Sequence, residues 1–179
     1  MKKVIFIILV FIIFSCENKI EEINNLTHEE NFPDISAKNI EIIYTDNGKV
    51  KVILFAKKLE KYIQEKKTYT EFEKGINVKF FDENGILESS MVSDYARYYD
   101  KKHIFVAENN VIAKNHLKNE QLNTEYLVWE QKKELIYSDK FVKITRKDNI
   151  IYGNGFQSDQ NFTNLKIREV KGIISINEE

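Results

Sequence analysis

The chain has 179 residues, with 27 basic and 28 acidic side chains, a formal net charge of −1, 9 Tyr, 12 Phe and a single Cys. That balance excludes a nucleic-acid partner, which wants a strongly basic face, and argues against recognising an anionic ligand mainly through overall charge. One cysteine excludes an internal disulfide, so the fold must hold by packing alone, and the length suits one domain with a real core.

Lys2 and Lys3 precede eleven uninterrupted apolar residues, Val4 to Phe14, followed by Ser15, Cys16 and a polar tract. A basic start, a short apolar run and a small residue before the cleavage point predict a secretory signal peptide. A membrane-spanning helix fits less well. Val4 to Cys16 would extend only about 20 Å as a helix, against a hydrocarbon core of about 30 Å. Ile13-Phe14-Ser15-Cys16 resembles a bacterial lipobox, although Phe14 is bulkier than the usual residue there. The resemblance implies that Cys16 is diacylated and becomes the new N-terminus, anchoring the chain to a membrane. Cleavage there removes Lys2 and Lys3 and leaves 25 basic and 28 acidic residues. The predicted organisation is a signal peptide over 1–15, the lipidated Cys16 with a polar tether over 16–33, and one β domain over 34–179.

Abundant aromatic and β-branched residues favour strands in that domain. Asn39 to Thr45 and Val50 to Phe55 flank Asp46-Asn47-Gly48-Lys49, a hairpin with Asn47-Gly48 at a type I′ turn. Val50, Val52 and Leu54 alternate as a half-buried strand requires. Ala56 to Lys67 reads two ways, because Leu59, Tyr62 and Ile63 have helical spacing while an extended excursion fits as well. Ile76 to Phe81 and Ile86 to Val92 flank the turn Asp82-Glu83-Asn84-Gly85. Lys147-Asp148-Asn149 turns into Ile150 to Tyr152, and Gly153-Asn154-Gly155-Phe156 leads into the last strands. About a dozen short strands with close, regular turns predict an all-β sandwich, barrel or roll.

Between those hairpins a cassette occurs twice. Ser93-Asp94-Tyr95-Ala96-Arg97-Tyr98-Tyr99-Asp100-Lys101-Lys102 returns as Thr124-Glu125-Tyr126-Leu127-Val128-Trp129-Glu130-Gln131-Lys132-Lys133. The register then holds without a gap, Phe105 falling on Ile136 and Val111 on Val142. Self-similarity at a fixed period suggests stacked copies of one strand–turn–strand unit. Ala96, Tyr98, Phe105, Val111 and Ala113, with Leu127, Trp129, Ile136, Val142 and Ile144 in the second copy, should point inward, because side chains alternate across a strand. They read first as core, and secondly as the lining of a space open to an apolar ligand.

No catalytic or metal-binding pattern accompanies these strands. His28, His103 and His116 are far apart, and the chain holds neither His-Glu-x-x-His nor Gly-x-Ser-x-Gly. Gly153-x-Gly155 lacks the third glycine and following helix of a dinucleotide loop. No cofactor and no enzymatic activity are expected.

Six stretches carry a resemblance: Tyr44-Thr45-Asp46-Asn47-Gly48-Lys49-Val50, Phe72-x-x-Gly75-Ile76, Ser93-Asp94-Tyr95-Ala96, Thr124-Glu125-Tyr126-Leu127-x-Trp129, Asp139-Lys140-Phe141-Val142 and Gly153-x-Gly155-Phe156. In that order and spacing they resemble the LptC family, the periplasmic component of the lipopolysaccharide export system, over roughly Asp34 to Gly172. The resemblance implies an open β-jellyroll whose interior takes the acyl chains of lipopolysaccharide. It assigns the lining to Val78, Phe80, Ala96, Tyr98, Phe105, Val111, Leu127, Trp129, Ile136, Val142, Ile144 and Phe156. The implied partners are lipopolysaccharide, the inner-membrane ABC transporter that extracts it, and an LptA-like jellyroll that receives it. Familiar members carry a transmembrane helix where this chain offers Cys16. The expected address is therefore the periplasmic face of the inner membrane by a lipid anchor, with outer-membrane sorting as the alternative. A lipoprotein carrier or chaperone, and a structural surface lipoprotein, are the competing readings.

Overall fold

Alternating apolar side chains over long stretches, with one proline and six glycines in the whole chain, leave the backbone little choice but extended pairing. A computed structural model describes residues 32–63, 68–159, 162 and 164–175. The chain divides at Phe32 and Pro33, and the second unit, Pro33–Glu179, is compact. The expected signal peptide, Cys16 and the expected tether through residue 31 lie outside the described residues.

The second unit is all β, consistent with a β-jellyroll. Its strands are β1 (Ile35–Asp46), β2 (Lys49–Ile63), β3 (Thr68–Phe72), β4 (Ile76–Phe81), β5 (Leu87–Ser93), β6 (Tyr95–Tyr99), β7 (Ile104–Asn115), β8 (Glu120–Glu130), β9 (Leu135–Thr145), β10 (Asn149–Asp159) and β11 (Lys166–Ser175), with a 3₁₀ turn at Gln131–Lys133. Asn47 and Gly48 both take positive φ, as the β1–β2 turn requires.

The Ala56–Lys67 stretch is strand through Ile63, with no helix among its described residues. Glu60 to Ile63 pair with Thr68 to Glu71 of β3, and Tyr62 stacks on Tyr69 with centroids 4.8 Å apart. Cross-strand partners outweigh a local helical spacing that has no helix to pack against. Gly153-Asn154-Gly155-Phe156 lies within β10, which runs from Asn149 to Asp159.

Two long strands divide their pairing and so create two half-sheets. Val52 to Ala56 of β2 pair with β4, whereas its last residues pair with β3. Ile112 to Asn115 of β7 pair with β5, whereas Ile104 to Glu108 pair with β6. A crease crosses the stack where the halves meet. It passes through Asn39, Asn109, Asn110 and Gly155, all at positive φ. Register shifts mark it between Glu108 and Val111 of β7, between Thr124 and Val128 of β8 and between Asn154 and Phe156 of β10. Each extra residue bends its strand, and asparagine and glycine accept the left-handed backbone the bend needs. The core lies inside the bend.

The repeated cassettes become the stacked hairpins β6–β7 and β8–β9. Ser93 Oγ donates to Tyr95 O at 2.9 Å, and Thr124 Oγ1 donates to Tyr126 O at 3.3 Å. Asp94 Oδ2 accepts from Asn110 Nδ2 at 2.5 Å, and Glu125 Oε2 accepts from Asn110 N at 3.2 Å. The turns close with His103 and Glu134 at matching positive φ of 54° and 50°. Like residues thus do like work at the crease and at the turns, which is what a duplicated unit predicts.

On the outer face of the smaller half-sheet, Arg97 pairs with Glu71 at 2.7 Å and lies 4.8 Å from the Tyr69 ring centroid. Burial pushes the Glu71 carboxyl up, but hydrogen bonds from Tyr95 and Arg97 outweigh it and hold the group below its ordinary value. This cluster binds β3 to β6, two strands too short to hold each other by backbone pairing alone.

Candidate functional site

Inside the bend the apolar faces do not close everywhere. A cavity of about 780 Å³ lies between the half-sheets near β1, walled by Ile42, Leu54, Val78, Phe80, Phe105 and Trp129 among others. A second, of about 480 Å³, shares Val52, Phe80, Met91 and Trp129 with the first and reaches Leu127 and Ile136. Phe80 meets Trp129 edge-on, with ring centroids 6.2 Å apart and planes at 76°. The two cavities share this aromatic pair in their walls and together form one apolar trough.

The twelve residues expected to line a lipid space fall into two groups. Val78, Phe80, Tyr98, Phe105 and Trp129 line the larger cavity, and Leu127 and Ile136 line the smaller one. Ala96, Val111, Val142 and Phe156 are wholly buried, and Ile144 nearly so. They belong to the same apolar cluster but sit where it is filled. The trough is therefore open toward β1 and packed shut toward β10.

The closure at β10 has a local cause. Gly153 presents no side chain inward, and Ile167 of β11 occupies the room. A Cβ on Gly153 would stand 2.4 Å from Ile167 Cγ2 and 2.7 Å from the Glu169 carbonyl. At Gly155, φ is +71° and the Arg168 guanidinium covers the bare backbone, donating to Ser138 O at 2.9 Å. The Gly153-x-Gly155 pattern is thus a seat for β11.

Sequence reasoning missed the β1 and β2 walls, namely Ile35, Ile42 and Tyr44, with Val52, Leu54 and Leu59 opposite. The β2 alternation was available as a signal. In β1 it is masked, because Ile43 is apolar too and faces the other way. Ile42 is paired with Leu54 and Ile43 with Ile53, and only the first pair contributes to the cavity.

Polar groups are confined to the rims. At the end of the smaller half-sheet, Lys61 pairs with Asp100 at 2.7 Å, and Tyr98 Oη donates to Gln131 Oε1 at 3.1 Å. Burial, followed by the Asp100 charge, raises the Tyr98 hydroxyl, with Lys61 opposing. On the opposite rim Glu83 pairs with Lys51 and with Lys49, and the Lys51 ammonium holds its carboxyl low. Among the described residues no group of His, Cys, Asp or Glu could hold a metal, and no helix is long and apolar enough to cross a membrane.

The edges complete the geometry. β1 pairs only with β2, and β11 only with β10, so both ends of the stack are free among the described residues. An open β-jellyroll with an apolar trough and two unpaired edges is the class of protein that this fold and site define. The family model described as "Lipopolysaccharide-assembly, LptC-related" matches residues 4–174, and the chain belongs to the LptC family. A comparison with curated proteins finds no match. Membership ties the chain to lipopolysaccharide transport, in the periplasm and at the inner membrane, within a family of transport components that are not enzymes.

Proposed function

We propose that this protein receives lipopolysaccharide from the inner-membrane ABC transporter, holds its acyl chains in the trough and passes it to the next periplasmic jellyroll. The observation that carries this reading is the apolar cavity of about 780 Å³ in the bend of the sheet. Acyl chains gain about 0.8 kcal/mol per methylene removed from water, and a trough without catalytic groups can release what it binds unchanged. Free sheet edges invite strand addition by neighbouring jellyrolls. We assign β1, which follows the tether in sequence, to the transporter side and β11 to the receiving side. Photocrosslinkers at Tyr98, Phe105 or Trp129 should capture lipopolysaccharide in cells, and those at the outward Arg97 and Glu130 should not. Capture at the outward positions alone would sink the trough.

The lipid anchor at Cys16 belongs to the same proposal. Cys16→Ser should abolish metabolic lipid labelling and leave an uncleaved precursor of larger apparent mass. Labelling or mobility like that of the unmutated chain would refute acylation at this residue.

A further inference from the structure

Val52, Phe80, Met91 and Trp129 line both cavities, so these residues mark the place where the trough forks. Phe80 sits on β4 and Trp129 on β8, and β5 and β7 lie between those two strands in the sheet. Their edge-on contact therefore crosses the trough from wall to wall. Elsewhere aromatic contacts join neighbouring strands, as Tyr62 on Tyr69 does between β2 and β3 and Phe141 on Tyr152 between β9 and β10.

At the fork the fold leaves a polar atom unused. The Trp129 indole nitrogen is shielded from solvent and donates to no acceptor among the described residues. An indole N–H can only donate, and a buried one ordinarily finds a partner. Val52, Phe80 and Met91 carry no side-chain oxygen to accept it. Tyr98 and Gln131, which also reach the larger cavity, are bonded to each other. A buried donor without a partner costs free energy, and filling both cavities with hydrocarbon alone would leave that cost in place.

We infer that the fork takes a branched acyl chain, with the Trp129 N–H donating to the carbonyl oxygen of the ester at the branch point. This inference rests on the lipid-transfer reading and adds to it the chemical group that is recognised. An acyl chain that bears a second chain through an ester has two hydrocarbon arms and a carbonyl where they join. One arm lies in each cavity, and the entering lipid parts Phe80 from Trp129 and so meets the N–H. A donor built into an apolar wall discriminates against a ligand that brings no acceptor. A single neutral hydrogen bond contributes modestly to affinity, so the contact selects the branch and still lets the lipid leave.

The test uses synthetic lipid A with ester-branched acyl chains and an analogue in which methylene links replace the branch-point esters. Trp129 is the only tryptophan, so the indole N–H resonance in a proton–nitrogen NMR spectrum of the purified full-length protein reads this site alone. It should move downfield with the ester-branched lipid and much less with the analogue. Trp129→Phe keeps a ring in the wall and removes the donor. It should bind the ester-branched lipid about tenfold more weakly and the analogue as the unmutated protein does, which also shows that the variant is folded. Equal movement of the resonance with both lipids, or equal weakening of both by Trp129→Phe, overturns the branch-point donor and leaves the trough standing. Binding of neither lipid to the unmutated protein overturns the lipid-transfer reading and this inference with it.

Discussion

Ile42→Asp should cost the protein most of its affinity for lipopolysaccharide, while Ile43→Asp should cost it almost none. The two residues are consecutive on β1 and similarly exposed, at 44% and 54%, so neither substitution empties a packed core. They differ only in the face they serve. Ile42 lines the cavity and Ile43 does not. A carboxylate at 42 must lose water when an acyl chain lies against it, or take up a proton, and either costs free energy. A tenfold to hundredfold loss of affinity, about 1.4–2.8 kcal/mol, is expected. Binding of labelled lipopolysaccharide to the two purified variants checks it, with their melting temperatures staying close to that of the parent. Equal loss in both variants would mean that β1 binds lipid by an edge or surface effect and not through the trough.

The second large effect is on stability. Gly153→Val should destabilise the domain by about 3 kcal/mol, the upper range for overpacking, and lower its melting temperature by roughly 10 °C. Even the first carbon of the new side chain meets Ile167 and the Glu169 backbone. The side chain can move aside, but the carbonyl moves only with β11, so Ile167→Ala should rescue little of the loss. Gly172→Ala, on β11 itself, is the matched control, because a Cβ there meets nothing within 4 Å. Thermal unfolding of the pair decides. If valine at 153 is as harmless as alanine at 172, β11 does not seat against β10 as described.

Much of this architecture could be read from the chain, for physical reasons that also explain what could not. Period-2 alternation exposed β2, β4 and the cassette hairpins, because one face of each strand is apolar and the other is not. Ser93 and Thr124 stood out as equivalent because the crease asks the same hydrogen bond of each. The extension of β2 to Ile63 was hidden, since it depends on pairing with β3, which returns against it from Thr68. For the trough, hydrophobicity marks an inward face but not whether that face is filled. Val111 and Phe105 look alike in sequence. One is sealed in the packed part of the cluster and the other faces the cavity, a difference set by how far the half-sheets diverge.

The crease has a consequence for anything that adds to this protein. It reaches the very edge of the stack, because Asn39 of β1 holds positive φ, and the pairing with β2 skips from Lys38 to Ile40. A straight strand laid along β1 can follow one limb of the bend but not both. Only a strand with its own kink opposite Asn39 can bond to the full edge. The bend therefore acts as a keyway, fixing the register of an incoming partner by backbone shape before any side chain is read. The same kink denies a full-length template to the flat strands that drive aggregation, so the edge can stay exposed for docking with less risk of indiscriminate pairing.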